Sequence, residues 1–374
     1  MTDVLEEHLD YLSLEGRRER FTQALSAVVG QGDRVADLGC GFGFLGILAL
    51  NAGASHVWGI DQSDAIEIAR ETVRRLDLSE RYTCIRGSTF RTRVPELVDL
   101  LVCDHVGFFG FDYGIVAMLA DARRRMLKPG GKIVPRRIVL KVAAATGPCR
   151  DLAEGWTRPP VPTEYAWLNE RAVNTKYRYA FTPDELCGPP ATIGAIALDE
   201  DVADLLSFTS SLEIARDCEL VGLACWFECE LAPGIWMTNS PLAKDRINRP
   251  NAFLPCREPF AVKAGEAIEA SFKITHDPVT ITWSIRDPSS GRMHRHSTWS
   301  SMIMNPSDLV PGDARPRHLN AKGSARKTIL ELLGGSRSLD EIEEAVLAQH
   351  ADLFPSEAEI RRFVRREVGD NAQC

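Results

Sequence analysis

Residues 35–43 read VADLGCGFG, an apolar stretch broken by Asp37 and closed by three glycines that alternate with Cys40 and Phe42. Few folds place such a run after a strand. Glycine adopts positive φ without a steric cost, so the chain can turn sharply and a ligand can come close to its backbone. Further on, HVWGID (residues 56–61) has the texture of a second strand and ends in an acid, Asp61. In a strand–helix–strand unit this makes a nucleotide-ribose site: the glycines admit the ligand, and the acid accepts hydrogen bonds from the ribose hydroxyls. Gly39, Gly41, Gly43 and Asp61 are therefore candidate cofactor residues.

The alternation continues. FLGILALNAG predicts a helix stopped by Gly53, and AIEIARETVRRLDL predicts another. YTCIRGS and VDLLVCD read as a third and a fourth strand, and AMLADARRRMLKPGG as a helix with a glycine-rich stop. Upstream, residues 14–30 place Phe21, Leu25 and Val28 at helical spacing before Gly30. Strands alternating with helices imply a parallel, doubly wound sheet.

After about residue 137 the texture changes. Short Val-, Ile-, Thr- and Phe-rich runs separated by Gly and Pro predict an antiparallel barrel or sandwich. A Pro- and aromatic-rich stretch, about 155–190, interrupts it as an inserted arm. The linker NPSDLVPGDARPRHLN then leads to three amphipathic helical patterns, the second opening on the capping box SLDE. The expected organisation is a Rossmann-like domain over 1–137, a β-barrel over 138–308 and a helical module over 318–374.

The net charge of −8 argues against a general nucleic-acid binder. No apolar run approaches the ~20 residues of a membrane span. The start, MTDVLEEHLDYL, lacks the basic-then-apolar order of a signal peptide. The ten cysteines are scattered without a C-x-x-C pair, and Cys84, Cys103 and Cys225 lie in strand-like runs. They read as reduced core residues of a cytoplasmic protein, with no metal site expected.

Asp37 before the glycines, the distance to Asp61 and the closing LKPGGKIV together resemble class I S-adenosylmethionine-dependent methyltransferases. More narrowly, VADLGCGFGFLGILALNAGASHVWGIDQS, LKPGGKIVPRR and ACWFECEL…TNSPLAKDRINRPNAFLPCREPFAVKAGEAIEA are similar to the protein arginine methyltransferases, over roughly residues 10–300. The resemblance implies a Rossmann-like domain, a β-barrel, a dimerisation arm and S-adenosylmethionine as cofactor. It also implies that LEGRRERF is the helix folding over the cofactor, with Arg17 on the methionine carboxylate, a role that suits a forked guanidinium. The cofactor residues it implies are Arg17, Asp37, Gly39, Cys40, Gly41, Gly43, Asp61, Gln62, Ser88 and Thr89.

The acceptor side departs from that family. There the fourth strand leads into a loop whose two glutamates grip a guanidinium. Here Asp104 follows Cys103 at the first place, Tyr113 stands at the second, and Asp112 lies one place early. The family's Thr-His-Trp loop corresponds to Arg246, Ile247 and Asn248. A shorter acid and an aromatic grip a planar cation poorly. Asp104 is expected to orient an acceptor and His105 to serve as base, with Asp112 and Tyr113 as further candidates.

ILELLGGSRSLDEIEEAVLAQH with EAEIRRFV resembles the small winged-helix modules of the PqqD type that hold precursor peptides, which implies a peptide substrate. The expected function is N-methylation of a protein or peptide side chain by a homodimer. A natural-product small-molecule N- or O-methyltransferase and a non-catalytic cofactor-binding scaffold remain open.

Overall fold

The computed structural model describes residues 4–302 and 318–372. The chain divides into two compact units, Met1–Ile303 and Met304–Cys374. Most of the linker between them lies outside the described residues.

The first unit opens with α1 (Val4–Leu12) and α2 (Arg17–Val28). The doubly wound part follows: β1 (Arg34–Leu38), α3 (Phe44–Asn51), β2 (His56–Asp61), α4 (Ala65–Arg75), β3 (Tyr82–Arg86), β4 (Val98–Cys103), α5 (Ile115–Met126) and β5 (Leu127–Val134). The five strands are parallel in the order β3-β2-β1-β4-β5. The direction of winding reverses between β1 and β4, and in such sheets ligands bind beyond the strand ends at that point. Leu38 of β1 pairs with Cys103 of β4, so Gly39 and Asp104 follow side by side.

The sequence places LKPGG at the end of a helix, but the helix stops at Met126 and Leu127–Val134 is a strand. Its position at the sheet edge explains why Pro129 is tolerated, since an edge strand can lack an N–H.

Where a barrel or sandwich is expected, the chain forms two antiparallel sheets that share no ladder among the described residues. This part begins with β6 (Arg137–Ala145). An arm of short helical turns follows, with α6 (Asp151–Glu154) and α7 (Asn169–Ala172), and leads to β7 (Tyr177–Tyr179). Then come β8 (Ala191–Ala197), β9 (Leu205–Glu213), β10 (Cys218–Ala232), β11 (Ile235–Thr238), β12 (Asn251–Val262), β13 (Ala267–His276), β14 (Val279–Arg286) and β15 (Met293–Ser297). One sheet runs β7-β12-β10-β6-β8 with β11 on β10, and the other β15-β14-β13-β9.

The parallel sheet and the antiparallel sheets share one core, which passes from Leu100 and Val102 through Phe109 and Phe111 to Phe227 and Leu254. Phe109 and Phe111 belong to the loop after β4 and are fully buried. Burying each contributes about 1.5–3 kcal/mol, so the loop is pinned to the second sheet by its aromatics. Gly110 makes this approach possible, because its φ is 99° and a Cβ there would stand 2.6 Å from Ile138.

The second unit contains α8 (Ala321–Leu332), α9 (Leu339–Gln349) and α10 (Glu357–Asn371) around Ile329, Ile342, Val346, Ile360, Phe363 and Val364. Ser338 and Glu341 form the capping box of α9. No strand occurs among the described residues 318–372. Among the described residues, no helix is long and apolar enough to cross a membrane, and no group of three or more His, Cys, Asp or Glu could hold a metal.

Candidate active site

A cavity of about 410 Å³ opens at the switch point. Pockets of this size hold small-molecule cofactors. One wall is the glycine turn: Gly39, Cys40 and Gly41 line the cavity with Asp37 beneath them. Gly39 and Gly41 have φ of 65° and 53°, and both are needed for a second reason. A Cβ on Gly39 would lie 2.1 Å from His105 Nε2, and one on Gly41 would lie 2.7 Å from His8 Nε2. Gly43, also expected at the site, stays out of the cavity and caps α3 with φ of 82°.

Asp61 and Gln62 at the end of β2, and Ser88 and Thr89 after β3, supply the next wall. Asp61 Oδ2 accepts from Gly41 N at 2.9 Å, so the acid also sets the glycine turn. Its Oδ1 accepts from Ser63 N at 2.8 Å and Ser63 Oγ at 2.7 Å. The 88–92 segment is held by Arg125, which donates to the carbonyls of Thr89 at 2.6 Å and Thr92 at 2.8 Å. Helix α1 contributes His8, Tyr11 and Leu12, and His8 stacks on Phe42 at 4.1 Å.

The third wall is the start of the acceptor loop, with Asp104, His105 and Tyr113. Arg17, expected on a ligand carboxylate, instead binds Asp104, with Nε donating to Oδ2 at 2.5 Å. Arg249 Nη2 lies 3.8 Å from the same oxygen. Tyr113 is 39% exposed and meets Phe108 edge-on at 5.5 Å, so it is a cavity residue and not core packing.

Asp112 is neither in the cavity nor a solvated loop acid. Its side chain is 1% exposed and ion-paired with Lys176, which comes from the end of the arm. Its Oδ1 also accepts from Phe109 N at 2.8 Å. Residues between β11 and β12 hold the loop backbone. Asn239 donates to Phe108 O at 2.9 Å and Pro250 O at 2.8 Å, and Arg249 Nη1 donates to Gly107 O at 3.3 Å. Of the three places aligned with the Thr-His-Trp loop, Ile247 is buried in the core.

Two carboxylate oxygens of the cavity walls, Asp37 Oδ1 and Asp104 Oδ1, are buried without a hydrogen-bond partner. A buried acceptor left unsatisfied costs about 1–3 kcal/mol, which a ligand donor would recover. Burial pushes the Asp37 carboxyl up to about 7, against hydrogen bonds from Gly46 N and Tyr82 that pull it down. The unfolded carboxyl titrates near 3.8, so the folded chain retains a proton that the unfolded chain releases as pH rises towards 7. Stability is thus whole below the unfolded value and is lost up to about pH 7, by at most ~4 kcal/mol. The ligand-free Asp37→Asn variant is expected to melt above the parent at pH 8 and to lose that advantage at pH 4. Thermal scans showing the same pH dependence in both proteins would contradict this assignment.

A family model for a methyltransferase domain matches residues 35–131. The chain is 33% identical over 141 residues to probable protein arginine N-methyltransferase 6 of Arabidopsis thaliana, a match covering 38% of this chain and 32% of that one. It is 28% identical over 255 residues to protein arginine N-methyltransferase 1 of Schizosaccharomyces pombe, covering 63% and 72% respectively. The match to the Arabidopsis protein thus spans about a third of that relative's length, 32%.

Among solved structures, a Trypanosoma brucei PRMT1 enzyme–prozyme heterotetrameric complex with AdoHcy aligns at a TM-score of 0.68 and 18% identity, over 78% of this chain and 96% of that one. Arabidopsis thaliana protein arginine methyltransferase 10 aligns at 0.66 and 18%, over 79% and 98%. At this identity the likeness establishes a shared fold: a parallel Rossmann-like sheet followed by antiparallel sheets.

Proposed function

We propose that this protein transfers a methyl group from S-adenosylmethionine to a side chain of a protein or peptide, bound at the loop that begins with Asp104. One observation carries this reading: a single cavity joins the glycine turn and Asp61 to Asp104 and His105. The methyltransferase-domain match and the arginine methyltransferase relatives support the cofactor.

The residues fit it. Asp61 would take the ribose hydroxyls, and Gly39 and Gly41 give the backbone approach. The orphaned Asp37 Oδ1 offers an acceptor, and Arg17 can turn from Asp104 to a ligand carboxylate. The bound cofactor supplies an electrophilic methyl on a sulfonium. Asp104 orients the acceptor by a hydrogen bond, and His105 removes the proton that the acceptor loses. Methyl transfer asks for little beyond this positioning and proton removal. The test is S-adenosylhomocysteine release with peptide acceptors. Binding of the cofactor without turnover on any of them would favour a non-catalytic scaffold.

The C-terminal unit is read as a peptide-holding module, on its resemblance to the PqqD type and its three capped helices. Deleting 318–374 should then weaken peptide binding and leave cofactor affinity unchanged. A cytoplasmic location is proposed on the sequence alone, whose ten cysteines are scattered without a C-x-x-C pair.

We also propose a homodimer built by the arm. Trp156, Tyr165 and Trp167 are 39%, 51% and 62% exposed, and such amphipathic rings suit an interface. Light scattering at micromolar concentration is expected to show a dimer that Trp167→Glu converts to monomer. A monomeric parent protein would refute it.

A further inference from the structure

We infer that the acceptor is an uncharged N–H or O–H group donating to Asp104 Oδ1, and that Arg249 is the residue that keeps guanidinium and ammonium groups out. This rests on the methyl-transfer reading above and names the substrate class of that site.

The acceptor loop brings two carboxylates, and both are already matched. Asp104 Oδ2 lies 2.5 Å from Arg17 Nε and 3.8 Å from Arg249 Nη2. Asp112 is ion-paired with Lys176, whose ammonium also lies 5.7 Å and 5.9 Å from the ring centres of Phe108 and Tyr113. Around Asp104 itself, one carboxylate therefore faces two cations, Arg17 and Arg249, before any ligand arrives. All of these groups are largely buried: Asp104, Arg17 and Arg249 are 8%, 7% and 7% exposed. Charges this close and this shielded are only weakly screened.

A guanidinium acceptor needs two anionic oxygens facing it. At Asp104 it would add a third cation and would have to displace one of the two. Arg17, held also by Tyr11 O at 3.5 Å and by the Phe21 and Phe44 rings at 5.4 Å, lines the cavity and is the one that a ligand carboxylate would draw away. Arg249 is not. Its Nη1 donates to Gly107 O at 3.3 Å, and its guanidinium lies 5.2 Å from the centre of the Tyr11 ring. It stays as the counter-ion of Asp104 when Arg17 turns to a ligand, so Asp104 remains neutralised.

What Asp104 still offers is Oδ1, buried and without a hydrogen-bond partner. One N–H or O–H donor satisfies it. An imidazole, hydroxyl or neutral amine meets that demand and carries the free lone pair that attack requires; an amide N–H donates equally well, but its lone pair is delocalised into the carbonyl. As the acceptor atom bonds to the methyl carbon, the carbon–sulfur bond breaks with its electrons going to sulfur. The proton held against Asp104 Oδ1 then leaves through that carboxylate, to His105 or to water. An anionic acceptor would gain Arg249 but would set its charge against the unpartnered Oδ1.

The test uses the full chain and peptides that differ only in a central Arg, His, Asn, Ser or Asp. Affinities are measured by calorimetry with and without S-adenosylhomocysteine. The neutral peptides are expected to bind at least tenfold more tightly than the arginine and aspartate peptides. In Arg249→Gln the ratio of arginine to neutral affinity should rise at least tenfold, whereas Arg249→Lys should keep the parental ranking. Preference for arginine or aspartate in the parent, an unchanged ratio in Arg249→Gln, or no neutral peptide bound while S-adenosylhomocysteine binds would each overturn the proposal. If Arg249→Gln does not fold, the parental ranking and Arg249→Lys still decide. Failure of S-adenosylhomocysteine itself to bind would fall on the methyltransferase reading, and the peptide ranking would be read separately.

Discussion

Asp104→Asn is expected to lower turnover by about a hundredfold or more while changing S-adenosylhomocysteine affinity only a few-fold. The substitution keeps the shape of the side chain and removes its charge. The acceptor then loses a charge-assisted hydrogen bond in a water-poor site. Removing one such preorganised partner costs about 2.7–4 kcal/mol of transition-state stabilisation, or 10²–10³ in rate. Arg17 would be released at the same time, which leaves it available for a ligand carboxylate and protects cofactor affinity. Breaking a buried pair also destabilises the fold, by about 3–5 kcal/mol in the extreme, so turnover must be normalised to folded protein. Initial rates and calorimetry on the same preparation separate the effects. Equal losses in rate and in cofactor affinity would make Asp104 a cofactor ligand, not an acceptor-orienting group.

Asp61→Ala is expected to weaken S-adenosylmethionine binding at least tenfold. Two hydrogen bonds from ribose hydroxyls to a carboxylate would be lost, at ~1.5–3 kcal/mol each, and ~1.4 kcal/mol already corresponds to a factor of ten. The loss has a second source, because Asp61 Oδ2 holds Gly41 N at 2.9 Å and so shapes the turn the ligand rests on. Calorimetry showing unchanged affinity would remove Asp61 from the site.

The parallel half of the fold was legible because its signals are local. An apolar strand, a glycine turn and a 3.6-residue periodicity each lie within a short window, and β1, β2, β4 and α4 appear where those signals place them. LKPGG was misleading for a related reason: Pro and Gly mark a stop, but at a sheet edge they are compatible with a strand. The cavity gathers Asp37, Asp61 and Asp104 because consecutive strand ends bring them together, which topology alone implies.

The charge balance of the acceptor loop was not legible. Lys176 meets Asp112 across 64 positions of sequence, and Arg249 meets Gly107 across 142. No spacing rule connects such residues, so Asp112 read as a candidate at the acceptor site and Arg249 drew no notice. Asn239, fully buried and bonded to the loop, was silent for the same reason. His8 and Tyr11 lie on α1, where only an acidic N-terminal stretch was evident.

The most direct test of the account is to incubate the full-length protein with S-adenosylmethionine and a peptide mixture containing every side chain, and to locate any added methyl group by tandem mass spectrometry. The expected result is S-adenosylhomocysteine released in equal amount with methyl groups on neutral N–H or O–H side chains, a product that Asp104→Asn nearly abolishes. Methyl groups found on arginine guanidinium nitrogens, and persisting in Asp104→Asn, would contradict it.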